Sequence, residues 1–226
     1  MWFLITLVVF IVVRRVCIKV GSPIFNPMLV CVLVLVPLLL TLEVDYAEYY
    51  ADNAWVTWLL QPAVVALAVP LYQQLPEIRR RWQIIFLSCG VGSVMSMVTT
   101  LMFATWLDVD AELLASMMGK SVTTPIAMEI ASFLGGVPAI AAIMVLVAGL
   151  VGSILAYPIY RLLNITSPIA RGLTMGCVSH ALGTATSAGK DPQDAAFSSL
   201  SLVLCGVITS ITAPSIMGLA IWFTNW

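Results

Sequence analysis

The chain has 226 residues, 61% of them hydrophobic and only 9% charged, with a net charge of −1 and a mean hydropathy of +1.05. A soluble domain carries about 25% charged residues, so the composition excludes an ordinary soluble protein, and the near-neutral balance argues against nucleic acid as a partner. The apolar residues run in solid blocks, not in the alternation of a β-barrel, and a crossing helix needs about 20 of them. The fold class expected is therefore an all-α polytopic membrane protein.

In chain order, residues 2–13 form an apolar run followed by Arg14, Arg15 and Lys19. The run is short for a span, so a tilted helix with snorkelling arginines is expected. Its basic residues follow it and do not precede it, which argues against a cleavable signal. Asn26-Pro27 stands at the mouth of a second span, 28–42, and an acidic loop, 43–52, comes next. The third span, 54–72, is interrupted by Gln61-Pro62. A basic loop at 77–81 leads to the fourth span, 82–107, and to an acidic patch of Asp108, Asp110 and Glu112. Residues 113–137 contain MGKSVTTPIAMEIASFLGG, which is polar for so apolar a chain. The fifth span covers 138–163, a glycine-rich polar stretch covers 171–191, and the sixth span covers 194–223.

Lysine and arginine gather on the cytoplasmic side of a membrane. With the three basic groups (14–19, 79–81, 161–171) inside, the N-terminus lies outside. Span four then ends outside, while span five must end inside at Arg161. Residues 113–137 must leave the outer face and return to it, and residues 172–193 must do the same from the inner face. Six transmembrane helices and two opposed re-entrant hairpins result; eight full crossings are the alternative. An offset of 57 residues also aligns Met118-Gly119 with Met175-Gly176, Gly149 with Gly206 and Ser153-Ile154 with Ser210-Ile211. This suggests an inverted repeat, 113–163 against 170–223, as in secondary transporters. The expected organisation is a four-span scaffold, 1–107, and a repeat-containing transport half, 108–226.

The polar groups of the two hairpins are the candidate chemistry, because a membrane tolerates them only against protein or a wet cavity. Lys120 is the one basic residue placed at membrane depth. It either binds an anion beside a half-helix starting near Pro125, or pairs with Glu129, or snorkels outward. Ser121, Thr123 and Thr124 either bind substrate oxygens or cap that half-helix. Glu129 is a counter-ion, a proton carrier or simply wet. In the second hairpin, Ser179, His180, Thr184 and Thr186 are the candidates. His180 is the only histidine, and it either takes up a proton or is a satisfied structural residue. Asn26 and Gln61 either line the cavity or serve helix kinks. The five cysteines show no ligand or CxxC spacing and are read as small hydrophobes. No metal site, cofactor or catalytic constellation is expected, so the chain is not expected to be an enzyme.

At KSVTTPIAME (120–129), ARGLTMGCVSHALGTA (170–185), AAFSSLSLVLCGVITSITAP (195–214) and LLQPAVVALAVPLYQQL (59–75) the sequence resembles the LrgB/CidB family, along essentially the whole chain. The resemblance implies a bacterial inner-membrane protein that acts beside a holin-like LrgA/CidA-type partner. It also implies two functional readings. Members are described as antiholin-like modulators of murein hydrolase activity and autolysis; a plastid relative exchanges glycolate and glycerate, and some bacterial members are linked to pyruvate. The expected function is transport of small monocarboxylates of the glycolate, glycerate, pyruvate or lactate type, with proton coupling as an option. An antiholin-like regulator and a water-filled pore are the rivals. A homo-oligomer in the lipid bilayer is expected.

Overall fold

The computed structural model describes residues 1–20, 27–59, 62, 65, 72 and 75–224, and among these all regular structure is helical. Asn26 and Gln61 lie outside the described residues, as does most of the expected third span. The chain forms two compact units, Met1–Val65 and Ala66–Trp226. The boundary expected at 107/108 falls inside the second unit.

The first unit contains α1 (Trp2–Val20), α2 (Pro27–Thr41), α3 (Tyr46–Asp52) and α4 (Ala54–Trp58). Helix α1 runs past the apolar block and takes in Arg14, Arg15 and Lys19, because arginine and lysine are good helix formers and no Gly or Pro intervenes. Its start is tied to α3: the Trp2 backbone N–H donates to Asp52 (2.9 Å) and Trp2 Nε1 to Glu48 (3.1 Å). Val13, Cys17 and Cys31 pack α1 against α2.

The second unit contains α5 (Leu75–Trp106), α6 (Ala111–Met117), α7 (Thr124–Leu134), α8 (Pro138–Leu162), α9 (Pro168–Ala188) and α10 (Pro192–Thr224). Among the described residues, three helices are long and apolar enough to cross a membrane: Ile78–Trp106, Pro138–Leu162 and Pro192–Trp222. Their outward side chains, such as Leu87, Met102, Val147 and Ile211, are apolar and exposed, as a lipid-facing surface requires. One core cluster gathers Met97, Leu114, Val122, Ala127, Val145 and Ala213; a second gathers Ile85, Cys89, Leu173, Leu200 and Cys205.

Between these long helices the chain twice doubles back. Asp110 caps α6, accepting from the Leu113 N–H at 2.7 Å, and the helix stops at Met117. Residues 118–123 are non-helical, and α7 restarts at Thr124 with Pro125 in its first turn. Helix α7 ends on Gly135 at φ 82°, a left-handed position that favours glycine. The chain then returns to where it left, since the Val137 N–H donates to Ser116 Oγ at 2.7 Å.

The second reversal turns on one residue. His180 sits at φ 42°, ψ −129°. A Cβ on Gly183 would lie 2.8 Å from the Met175 carbonyl oxygen, whereas eight residues of straight helix span about 12 Å. At the open end Arg171, near the start of α9, bonds Asp191 and Asp194 beyond its finish. Residues 168–179 and 181–188 are thus two arms of a hairpin.

Candidate functional site

A cavity of about 770 Å³ opens between α5, the break at 118–123 and the first arm of α9. Lys120 and Ser121 reach it from the break. The Lys120 ammonium donates to Ser96 Oγ at 2.7 Å and to the Ser96 carbonyl at 3.2 Å, and Ser96 Oγ shares a hydrogen bond with Ser121 Oγ at 2.8 Å. Ser88, Ser96, Thr99 and Thr174 add hydroxyls, and Arg81 adds a second cation at the point where α5 departs from helical geometry. No carboxylate stands among the described lining residues. The cavity therefore offers the Lys120 ammonium, a set of hydroxyls and apolar walls from Leu173 and Val178, which is an environment for a small anion.

Lys120 forms no ion pair with Glu129; Glu129 is exposed on α7 and lines none of the three cavities described here. Thr123 is the N-cap residue of α7 but its side chain makes no capping bond, and its buried hydroxyl has no partner. Thr124 begins the helix and is half-buried.

The second group is gathered elsewhere. Ser179 is fully buried with an unpartnered hydroxyl, packed where a Cβ on Gly152 would collide with it. The His180 ring is buried and its Nε2 donates to the Val145 carbonyl at 2.9 Å. It packs flat against Gly149, where a Cβ would come within 2.5 Å of Nε2. Thr184 Oγ1 bonds the His180 carbonyl and Ser198 Oγ, and Thr186 Oγ1 donates to the Leu182 carbonyl. None of these four lines the cavity. The second hairpin reaches it through Leu173, Thr174, Cys177 and Val178, the residues just before the turn.

Helix α5 supplies what the sequence reading left out. Ser88, Gly92, Ser96 and Thr99 recur at helical spacing along one side of a largely apolar span. That stripe was a legible sign of a polar face. Gly92 gives the room for Cys177, whose sulfur a Cβ would strike.

Two smaller cavities adjoin. One of about 380 Å³, mostly apolar, lies on the other side of Lys120 and Ser121 along α8. Another of about 450 Å³ lies at the open end of the second hairpin, among Tyr157, Tyr160, Arg161, Arg171, Lys190 and Asp194.

Residues 6–219 match the model of the LrgB-like family. An uncharacterised protein of Haemophilus influenzae is 43% identical over 202 residues, 89% of this chain and 87% of its own. The holin-like protein CidB of Staphylococcus epidermidis is 33% identical, and that of Staphylococcus aureus 31%, each covering 93% of this chain and 92% of theirs. No solved structure matches the chain. The solid apolar helices and the match along nearly the whole sequence agree: this chain is a helical membrane protein of the LrgB-like family.

Proposed function

We propose that this chain is a secondary transporter of small monocarboxylates, of the glycolate, glycerate, pyruvate or lactate type, with the carboxylate bound at Lys120. The observation that carries the reading is the Lys120 ammonium lining a cavity beside Ser96 and Ser121, with Arg81 on the same wall and no carboxylate among the described lining residues. A charged side chain at membrane depth is costly and marks a functional path. Here its partners are neutral oxygens, so among the described lining residues an incoming anion would meet no competing negative charge.

In this reading the protein sits in the bacterial inner membrane with its N-terminus outside, six helices cross, and residues 113–137 and 172–193 are opposed re-entrant hairpins of an inverted repeat. The register supports it. The 57-residue offset pairs Thr123, the last residue of the first break, with His180, the turn of the second. It also pairs Gly119, against which Ala127 packs, with Gly176, against which Ser198 packs. Each break is followed by a long apolar helix, α8 or α10. Thr123, Thr124, Ser179, His180, Thr184 and Thr186 then shape and orient the two tips, while Lys120 and Ser121 touch the substrate.

A second reading rests on a separate observation, the name holin-like protein carried by the CidB relatives. There the chain modulates lysis together with a small holin-like membrane protein and needs no substrate. Uptake of radiolabelled glycolate, pyruvate and lactate by the purified protein alone in liposomes separates the two. Saturable uptake without any partner supports transport. Absence of uptake for the whole panel, in protein whose fold is intact, favours the holin-like reading.

A further inference from the structure

The three cavities of the second unit form a series. The 770 Å³ and 380 Å³ cavities share Lys120, Ser121, Thr174 and Val178 as a common wall. The 380 Å³ and 450 Å³ cavities share Tyr160. Tyr160 is buried, and its hydroxyl donates to the Arg171 carbonyl at 3.1 Å, joining α8 to the base of the second hairpin. Its ring stands edge-on to Tyr157 at 5.6 Å, and Tyr157 in turn bonds Asp194 at 2.8 Å. Beyond Tyr160 the wall changes character, from Ala148, Leu155 and Ile159 to charged residues: Arg161 and Lys190, and Arg171 paired with Asp191 and Asp194.

Building on the carboxylate-transport reading above, we infer that the anion's route runs from the large cavity past Lys120, through the apolar cavity along α8, and out past Tyr160 into the vestibule, where Arg161 and Lys190 are the cations not taken up by Asp191 and Asp194. Tyr160 is the gate of that route. The closed position is held by one hydrogen bond to a backbone carbonyl and by the edge contact with Tyr157. A single neutral bond of this kind is modest in net strength, so it breaks and re-forms within a transport cycle. Helix α8 packs closely on the hairpin at Gly152, where a Cβ would meet Ser179 and Val178, and Ala156 lines the same apolar cavity as Lys120 and Tyr160.

Two substitutions test the route with opposite signs. Tyr160→Phe keeps the ring and removes the bond to Arg171; it is expected to raise the rate of glycolate exchange in proteoliposomes roughly fivefold, the shift in the open fraction that one lost hydrogen bond gives. Ala156→Phe adds bulk to the apolar cavity and leaves Lys120 and its partner Ser96 unaltered; it is expected to abolish exchange while glycolate still raises the melting temperature of the purified protein. Wild-type exchange rates in both variants, with Lys120→Gln inactive, would overturn the route and leave the Lys120 site standing. If the wild-type protein exchanges no carboxylate, the transport reading itself has failed, and the route fails with it.

Discussion

Lys120 owes its position to a serine on another helix. Ser96 offers both its hydroxyl and its backbone carbonyl to the ammonium and holds Ser121 with the same hydroxyl. Ser96→Ala removes the hydroxyl and leaves the carbonyl. Hydrogen bonds to charged groups contribute about 1.5–3 kcal/mol, so the cation should wander and glycolate should bind about tenfold more weakly or worse. The same loss should lower the melting temperature by several degrees; isothermal titration and thermal unfolding of the purified variant check the two effects. The polar identity of Lys120 was readable from sequence because lysine stands out among apolar residues. Its partner was not, since one serine in a helix has no pattern of its own, and only the stripe of Ser88, Gly92, Ser96 and Thr99 marked the side that lines the cavity.

His180 illustrates the reverse case. A lone histidine in an apolar chain invites a proton-transfer role, yet the structure gives it a backbone task. Its φ of 42° with ψ −129° lies in a region that suits glycine, at a cost on the order of 1–3 kcal/mol, and its ring is fixed on the Val145 carbonyl. His180→Gly relieves the strain as it loses the ring, whereas His180→Ala keeps the strain. Thermal unfolding should therefore rank wild type above Gly and Gly above Ala. Equal loss of transport in both, at unchanged melting temperature, would assign the imbalance to the imidazole and not to the turn.

At the scale of elements, the two doubled-back segments depend on what ties their ends. In the first, Asp110 caps the way in, Gly135 turns the way out, and Ser116 accepts the Val137 N–H. In the second, Arg171 bonds Asp194 through Nε and Nη2 at 2.9 Å each, and Asp191 at 3.1 Å. Asp194 is fully buried, so Arg171→Gln leaves a carboxylate with Tyr157 as its main support. Removing one partner of a buried pair costs about 3–5 kcal/mol. The expected result is a large fall in melting temperature and faster proteolysis between residues 168 and 192; a variant as stable as wild type would show that the pair does not close the hairpin. Both reversals could be anticipated from charge placement, because Arg161 and the acidic patch at 108–112 are expected on opposite sides of a membrane. The exact turning residue could not, since a histidine at a left-handed position follows from tertiary packing against Gly149, which no local propensity encodes.

At the largest scale, within the second unit, exposed apolar side chains on α5, α8 and α10 contrast with a cavity lined by serine, threonine and one clamped lysine. Under the transport reading proposed above, that contrast is what a solute path requires and a helical scaffold does not. Helix identity and the positions of the fifth and sixth expected spans followed from unbroken hydropathy alone, and α8 and α10 match those blocks to within a residue or two. Helix α5 begins earlier than expected, at Leu75, because Arg79, Arg80 and Arg81 favour helix as readily as they favour a cytoplasmic surface. The placement of α5 with the later helices could not be read from sequence, because packing partners depend on side-chain shape and not on composition.

The most direct measurement is counterflow of radiolabelled glycolate into liposomes containing only the purified protein, compared between the wild type and Lys120→Gln at matched melting temperature. The account predicts saturable exchange in the wild type and its loss, by at least about a hundredfold, when the sole cation held on Ser96 is replaced by an amide. Undiminished exchange in Lys120→Gln would contradict it.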